Sequence, residues 1–259
     1  MNLTNKNYFS PQAEALYFSA SQCKAFLECE AKAASEYQGT YKKEESNALL
    51  MGSYVDAYFS GEIGAFLDEH PDIFTKAGRL KSEYRQCEDI IERVEKDPVF
   101  MRYLYGDKQQ ILTGEIFGYP FKAKIDVLNP ARIVDLKLVK DLGTVWKHGE
   151  RVSFVDAWQY DLQGFIYQQM VAQNFEGDVR PFYLACITKE TVPDYEVIHI
   201  PDWKLNSAGE ILRHYLPRWN AIKRGEALPD RCGVCDYCKK TKRITGPIEY
   251  EELLNKEEL

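Results

Sequence analysis

The sequence predicts one α/β domain with a helical N-terminal portion, and three observations support this prediction. The chain has 259 residues, of which 45% are hydrophobic and 28% charged, the composition of an ordinary globular protein with a full core. Apolar residues recur at helical spacing through roughly the first hundred residues, and short strand patterns follow. Helical and strand patterns then alternate, without an internal repeat or a low-complexity linker between them.

Each predicted element has its own signal. Residues 19–35 form the first predicted helix, for which Ser19 and Ser21 are candidate N-caps. The last predicted helix, at about 203–223, ends before Gly225 and Pro229. Between them, periodicity predicts helices at 46–68, 81–105 and 158–173, and strands at 110–117, 121–127, 132–138, 182–188 and 195–200.

The same patterns predict the domain boundaries. We expect a single domain over residues 1–245, with its core at about 110–200. Residues 246–259 are acidic and are expected to form a mobile tail.

Composition and charge narrow the class of protein. No run of about 18 apolar residues is present and the N-terminus lacks the apolar core of a signal peptide, so we expect a cytoplasmic protein without a membrane partner. The net charge of −7 gives no general attraction for nucleic acid. A local basic patch can still bind DNA, and lysines at positions 122, 124, 137, 140 and 147 form such a concentration.

Three carboxylates and a lysine lie on consecutive strands of a predicted hairpin: Glu115, Asp126, Asp135 and Lys137. Residues i and i+2 of a strand share a face, so Asp135 and Lys137 point the same way. Converging acids are unfavourable unless a cation lies among them, which indicates a catalytic metal site. The alternative is an exposed strand face with a cross-strand ion pair. Gln163 and Tyr167 lie one helical turn apart further along the chain and favour the functional interpretation.

The order Glu115…Asp126…Asp135-Leu-Lys137…Gln163-x-x-x-Tyr167 resembles the PD-(D/E)xK nuclease superfamily. Within it, the sequence is most similar to the RecE-like, phage-type exonucleases, and more distantly to RecB-type nuclease domains. Segments 18–26 and 52–56 also resemble elements of that group. The resemblance implies a restriction-endonuclease-like core, in which helices flank a central mixed β-sheet.

The resemblance also implies the role of each site residue. Asp126, Asp135 and the Leu136 carbonyl would hold one or two Mg²⁺ ions, or Mn²⁺ in their place, and Glu115 and Asp56 would complete a second metal position. Two such ions can stabilise both oxygens of a phosphodiester displacement. Lys137 would orient or deprotonate the attacking water, or stabilise the charge on the phosphate. Gln163 and Tyr167 would position the DNA backbone or a water.

Two positions depart from the family pattern. Asp56 stands where the family usually has a histidine, and the proline of the first motif is absent before Asp126. An aspartate can ligate Mg²⁺ because that ion prefers hard oxygen donors. The alternative for Asp56 is an acid on a helix surface.

The seven cysteines include a dense group, Cys232-x-x-Cys235-x-x-Cys238. This spacing indicates a metal centre, although three unpaired thiols remain the alternative. Some RecB-type nucleases resemble this arrangement, with one early and three late cysteines that hold a 4Fe–4S cluster. Cys29 stands where the early cysteine would be, and Cys23 is the second candidate. The expected occupant is a 4Fe–4S cluster, a Zn²⁺ ion or nothing.

The function implied by the resemblance is a Mg²⁺-dependent deoxyribonuclease, a 5′–3′ exonuclease acting on linear duplex ends in phage or prophage recombination. A single-strand annealing protein is an expected partner, and some members form rings, so a homo-oligomer is a further expectation. Aromatics such as Tyr17, Phe18, Trp146 and Trp158 are candidates for stacking on bases or wedging a duplex end. The alternatives are an endonuclease, a hydrolase of a smaller phosphoester, or a non-catalytic DNA-binding module with a cysteine-ligated metal centre.

Overall fold

The computed structural model describes residues 1–42, 46–147, 149–244 and 246–251, and within them the chain is mixed α/β. The N-terminal portion is helical, as the sequence predicts. Its helices are α1 (Pro11–Leu16), α2 (Ala20–Glu28), α3 (Glu30–Tyr37), α4 (Asn47–Ser60), α5 (Ile63–Glu69), α6 (Ser82–Glu95) and α7 (Pro98–Tyr103), with a 3₁₀ turn at Pro71–Ile73.

Each of the three N-terminal helices predicted from periodicity is divided in two. Cys29 has an extended backbone that separates α2 from α3. Gly61 ends α4 with a φ of 82°, a left-handed conformation that glycine adopts without strain. Asp97 caps α7 by accepting hydrogen bonds from the amides of Val99 and Phe100, and Pro98 occupies the first turn. Periodicity alone does not report such breaks, because the apolar pattern continues across them.

Five strands form the central mixed sheet in the order β1-β2-β3-β6-β7. Pairing is antiparallel except between β3 and β6, which are parallel. The strands are β1 (Asp107–Ile116), β2 (Tyr119–Asn129), β3 (Arg132–Val139), β6 (Phe182–Thr188) and β7 (Tyr195–Ile200). All five were predicted from the sequence.

The remaining elements follow β3 and β7. A two-stranded hairpin, β4 (Thr144–Lys147) and β5 (Glu150–Ser153), was not predicted from the sequence, nor were α8 (Phe154–Ala157) and α11 (Asp236–Lys240). The two long helices agree with prediction: they are α9 (Tyr160–Asn174) and α10 (Asp202–Lys223). The tail prediction for residues 252–259 lies outside the described residues.

Helices cover both faces of the sheet. One hydrophobic core includes Phe26 of α2, Ile166 of α9 and Trp219 of α10. The other includes Val55 of α4 and Ile90 of α6, on the opposite face. Both cores are buried from water, which is the arrangement expected of a sheet with a parallel pair at its centre. No helix within the described ranges is long and apolar enough to cross a membrane.

Backbone and side-chain contacts join helices α1 and α2 to strand β2 of the sheet. Phe18 forms a parallel bridge with Phe121, in which the Phe18 amide donates to Pro120 and the Lys122 amide donates to Phe18. The side chain of Lys122 is fully buried, and its Nζ lies 2.6 Å from Glu14 Oε1. A buried lysine without a partner would be strongly destabilising, so this ion pair holds α1 and the start of α2 against β2.

Candidate active site and cysteine cluster

The β2–β3 hairpin brings two of the predicted carboxylates side by side. Val127 pairs with Val134, and continuing this register by one residue sets Asp126 opposite Asp135. The backbone ladder between the strands ends at this point. Asp126 Oδ2 instead accepts a hydrogen bond of 2.9 Å from the Leu136 amide, so a side chain replaces backbone pairing beside the site.

Strand β2 changes face at Asp126. Ile125 and Val127 are two residues apart, yet they pack into different hydrophobic cores. Opposite Asp126 in the β1–β2 register lies Gln109, whose φ of 51° is a left-handed conformation that few non-glycine residues adopt. Local distortions of a ladder re-aim side chains, and this one turns Asp126 towards Asp135.

Asp135 is the most buried acid of the site, with 0% of its surface exposed. Its Oδ1 accepts a hydrogen bond of 2.6 Å from Gln163 Nε2. Its Oδ2 lies 2.6 Å from Lys137 Nζ and forms an ion pair with it. A carboxylate this deeply buried is unfavourable unless positive and hydrogen-bonding groups surround it, and Lys137 and Gln163 supply these to Asp135.

Helix α9 supplies Gln163 and Tyr167 to the same cluster. A Cβ at Gly164 would lie 2.4 Å from the Phe182 ring, so only glycine lets α9 approach β6 this closely. Gln163 Nε2 donates to the Tyr167 hydroxyl at 3.0 Å, and that hydroxyl donates to the Lys124 carbonyl at 2.9 Å. The two side chains therefore tie α9 to β2 and to the buried carboxylate.

Lys24 of α2 joins the site, and sequence reasoning did not find it. Its Nζ donates a hydrogen bond of 2.7 Å to Gln163 Oε1 and lies 4.7 Å from the centre of the Tyr160 ring. Lys137 Nζ lies 5.7 Å from the same ring. Segment 18–26, which resembles an element of the nuclease group, contains Lys24, but its role at the site depends on the bridge that joins the start of α2 to β2.

Asp56 also lies at the site, on α4. Both of its carboxylate oxygens accept hydrogen bonds of 3.1 Å from Gln109 Nε2. Asp56 lines a cavity of about 10 Å³ together with Gln109, Asp126 and Leu136, which is room for about one water-sized species. The sequence-based alternative, a helix-surface acid away from the site, is not what the structure shows.

The Leu136 backbone faces the same gap. Its amide donates to Asp126, and the N–H and C=O of one strand residue project to the same side. Its side chain packs in the core that also contains Val134. The carbonyl predicted as a metal ligand is therefore directed towards the carboxylates.

Glu115 does not lie with the other acids, which corrects its assignment as a catalytic residue and metal ligand. It is exposed and pairs with Pro120, six residues along β2 from Asp126. At about 3.3 Å per residue, this places it roughly 20 Å from the site along the strand. Its backbone exchanges two hydrogen bonds with the Gln173 side chain, so it belongs to the far edge of the hairpin.

Charges at the site are strongly coupled. Burial, and next the Asp135 carboxylate, hold the pKa of Asp126 well above its ordinary value, against the opposing charge of Lys137. Burial lowers the pKa of Lys137, but Asp135 and Asp126 outweigh it and the pKa rises. Burial and the charge of Lys137 lower the pKa of Lys24 to about 7. Burial raises the pKa of Asp56, and Lys137 partly offsets this.

The donor set fits a hard divalent cation. Asp56, Asp126, Asp135 and the Leu136 carbonyl offer oxygen ligands, which Mg²⁺ and Mn²⁺ prefer. Burial raises the pKa values of Asp56 and Asp126, the charge of Asp135 adds to both shifts, and Lys137 opposes them. A cation bound among these acids would favour their ionised forms.

Four cysteines meet on the other side of α2. Cys29 lies at the break between α2 and α3, and the other three come from residues 232–238. Their Sγ atoms all lie within 4.8 Å of one another, with 3.6 Å between Cys29 and Cys238 and 3.9 Å between Cys232 and Cys238. The predicted set is thus assembled in space. Cys23 lies apart from it, buried in the core beneath α9.

The cysteine cluster favours a thiolate at one position. Burial opposes ionisation of Cys232, but amides of Cys235 and Val234 donate to its sulfur and lower its pKa to about 7. Burial raises the pKa of Cys29. The Cys238 amide donates to Cys235 Sγ at 3.4 Å, as the Cys235 amide does to Cys232 Sγ. Within residues 232–238, each cysteine sulfur that precedes another cysteine by three positions thus accepts a hydrogen bond from the amide of that later cysteine. Sulfur atoms arranged in this way are suited to a bound metal.

The sheet order and the site define the class of protein. A mixed five-stranded sheet flanked by helices is a restriction-endonuclease-like fold, and Asp126, Asp135, Lys137 and Gln163 lie on it in the order of the PD-(D/E)xK nuclease superfamily. The family model described as "PDDEXK-like domain of unknown function (DUF3799)" matches residues 19–241, and the chain belongs to this family. The predicted fold and superfamily are confirmed.

Solved structures agree with the family match. A crystal structure named "Putative exonuclease", from Eubacterium rectale, is 41% identical to the chain, with a TM-score of 0.93. The match covers 98% of this chain and 98% of that one. A search of curated proteins finds no significant match.

Proposed function

We propose that the protein is a divalent-metal-dependent deoxyribonuclease, and that it acts as a 5′–3′ exonuclease on linear duplex DNA. The observation that carries this proposal is the convergence of Asp135, buried between Lys137 and Gln163, with Asp126 on the neighbouring strand and Asp56 on α4. Converging acids are unfavourable unless a cation lies among them. The name of the Eubacterium rectale protein and the PDDEXK-like family support the same class of reaction.

The metal site would be held by Asp126, Asp135 and the Leu136 carbonyl, with Asp56 on the side of α4. A bound Mg²⁺ or Mn²⁺ would polarise the phosphodiester and lower the pKa of the attacking water. One or two ions are compatible with this donor set. Gln109 fixes the orientation of Asp56 through two hydrogen bonds, which prepares that carboxylate for a ligand.

The other groups act on the substrate and the water. Lys137 lies beside Asp135 with 24% of its side chain exposed, so its ammonium can reach both the site and a bound phosphate. There it would orient the attacking water and stabilise charge that develops on the phosphate. Gln163 and Tyr167 are fully engaged with protein groups. They hold Asp135 and β2 in place, and their predicted role in positioning the DNA backbone or a water remains a prediction.

The biological setting is proposed from the family resemblance. An exonuclease of this type leaves a 3′ single strand, which a single-strand annealing protein would take up during phage or prophage recombination in the cytoplasm. A ring-shaped homo-oligomer would keep the enzyme on its DNA. Co-purification with such a protein, and the mass of the native particle in solution, test these two points.

One digestion experiment separates the proposed function from its alternatives. Linear, nicked and closed circular duplexes are incubated with Mg²⁺ or with EDTA, and each end of the linear DNA carries a distinct label. Loss of linear DNA from its 5′ ends only with Mg²⁺ supports the proposal, whereas cutting of closed circles indicates an endonuclease. If DNA is bound but not cut with either Mg²⁺ or Mn²⁺, the protein is a non-catalytic DNA-binding module.

For the cysteine cluster, we propose a single tetrahedral Zn²⁺ ion. Zinc–thiolate bonds of about 2.3 Å place the sulfurs of a tetrahedron about 3.8 Å apart. Two separations, 3.6 and 3.9 Å, match this value, and all six lie within 4.8 Å, whereas a 4Fe–4S cluster needs a wider arrangement of its four sulfurs. Such an ion would clamp residues 232–238 to α2 and α3. One zinc per chain without a visible absorption band is expected, and iron with such a band would contradict it.

A further inference from the structure

An aromatic cleft lies beside the active site. It has a volume of about 440 Å³ and is formed by the end of β3, the β4–β5 hairpin, the start of α9 and the segment after β6. Trp146 and Trp158 line it with 70% and 52% of their surfaces exposed. Large exposed aromatics are unfavourable in water, so two of them on one concave surface indicate a binding site.

We propose that this cleft binds an unpaired nucleotide of the DNA strand, with its base stacked on Trp146 or Trp158. This inference rests on the proposed deoxyribonuclease function. It adds a substrate class, since a site for an unpaired base requires a single-stranded or frayed end next to the scissile phosphate. Every base has a π-face, so stacking of this kind tolerates any sequence, as an exonuclease requires.

The charges around the cleft suit a nucleic-acid strand. Lys140 and Lys189 line it, and Lys140, with 94% of its side chain exposed, forms a 3.7 Å ion pair with Asp141, the one carboxylate among the lining residues. Arg151 is paired with Trp146 across the β4–β5 hairpin, so its side chain lies on the same face as the indole. Lysine and arginine beside exposed aromatics are the combination by which proteins bind single strands without sequence preference.

The cleft is continuous with the catalytic cluster. Tyr160 lines it, and its ring lies 5.7 Å from Lys137 Nζ and 4.7 Å from Lys24 Nζ. Lys140, on the rim, follows Lys137 by three residues along the same segment. If a base of the DNA strand occupies the cleft, the neighbouring phosphate of that DNA strand therefore lies towards the carboxylates.

Trp203 provides a matched control. It is 68% exposed, close to the 70% of Trp146, and it does not line the cleft. Binding is measured by fluorescence anisotropy in EDTA, so that the labelled probes stay intact: an oligo-dT single strand and a blunt duplex. Cleavage of a duplex with a short 5′ overhang is measured in parallel with Mg²⁺. Trp146→Ala and Trp158→Ala are compared with Trp203→Ala and wild type.

We expect each cleft variant to weaken binding of oligo-dT by roughly fivefold to a hundredfold, the range for loss of one base–aromatic stack. Trp203→Ala binds as wild type, and the blunt duplex is affected less than oligo-dT. If both cleft variants bind and cleave as Trp203→Ala does, the cleft is not a nucleotide site, although the proposed function stands. If wild type neither binds nor cleaves DNA, the proposed function itself fails. A change only in oligomeric state would instead make this surface an interface between copies.

Discussion

Lys24 Nζ and Gln163 Oε1 lie 2.7 Å apart, although the two residues are 139 positions apart in the chain. The contact fixes the orientation of the Gln163 amide, because its oxygen is held by the lysine and its nitrogen is left to donate to Asp135. Lys24 is thus a positioning residue, which acts through an amide on Asp135, the carboxylate proposed to bind the metal. This arrangement leads to the first two predictions.

Replacing Lys24 by methionine should slow DNA cleavage roughly tenfold to a hundredfold, the usual effect of losing a group that orients a metal ligand. The Gln163 amide then loses the cation that holds its oxygen, so Asp135 is less well oriented. The measurement is cleavage rate as a function of Mg²⁺ concentration, since a positioning role raises the Mg²⁺ concentration needed for half-maximal rate. Lys24→Arg should recover part of the activity. Lys96→Met, at a lysine with 71% of its side chain exposed, should behave as wild type. An unchanged Mg²⁺ dependence in Lys24→Met would refute the positioning role.

Lys24→Met should also stabilise the metal-free protein below about pH 7. The pKa of Lys24 falls from 10.5 to about 7 on folding, so between these values the unfolded chain binds a proton that the folded protein has released. Stability of wild type therefore rises with pH across this window, and the full penalty applies below it. The variant lacks the penalty, and its advantage, up to a few kcal/mol, should disappear as the pH approaches 10.5. Urea unfolding in EDTA at several pH values measures this, and a constant difference would contradict it.

Asp135→Asn should reduce metal-dependent cleavage at least a hundredfold to a thousandfold, while the protein remains folded. The substitution removes one of two repelling carboxylates, and Asp126 remains as a counter-ion for Lys137, so the thermal midpoint in EDTA should not fall far. Lys137→Ala should cause a loss of similar size. Glu115→Gln is the matched control, because the structure places that acid away from the site. If Glu115→Gln is as inactive as Asp135→Asn, Glu115 belongs to the catalytic site and its placement outside that site is wrong.

The difference between Glu115 and Asp135 shows which parts of the site the sequence could predict. Asp135 and Lys137 share a face because strand periodicity is local, and the parallel β3–β6 pairing does not alter it. The position of Glu115 depends on how far β1 and β2 run before they turn, and periodicity does not report that register. Lys24 lies in segment 18–26, which resembles an element of the nuclease group, but its contact with Gln163 depends on the bridge between Phe18 and a distant strand, which the local pattern does not report.

The cysteine cluster gives a prediction that is independent of catalysis. Cys238→Ser should lose the bound zinc and lower the thermal midpoint, because metal binding to a folded site contributes directly to folding free energy. Cys186→Ser is the control, since Cys186 is buried in a hydrophobic core away from the cluster. The measurements are zinc content per chain and thermal unfolding with and without a chelator. Full zinc content in Cys238→Ser would exclude that residue as a ligand.

Asp56→His tests whether the acid on α4 is a metal ligand, since the related nucleases usually have histidine there. Mg²⁺ prefers hard oxygen donors, whereas imidazole suits transition metals, so the variant should favour Mn²⁺ over Mg²⁺ more strongly than wild type. Gln109 donates to both Asp56 oxygens, and an imidazole cannot reproduce both contacts, so some loss of rate is expected with either ion. Rates with Mg²⁺ and Mn²⁺ are compared for wild type, Asp56→His and Asp56→Asn. An unchanged ratio in Asp56→His would show that Asp56 orients its neighbours without binding the metal.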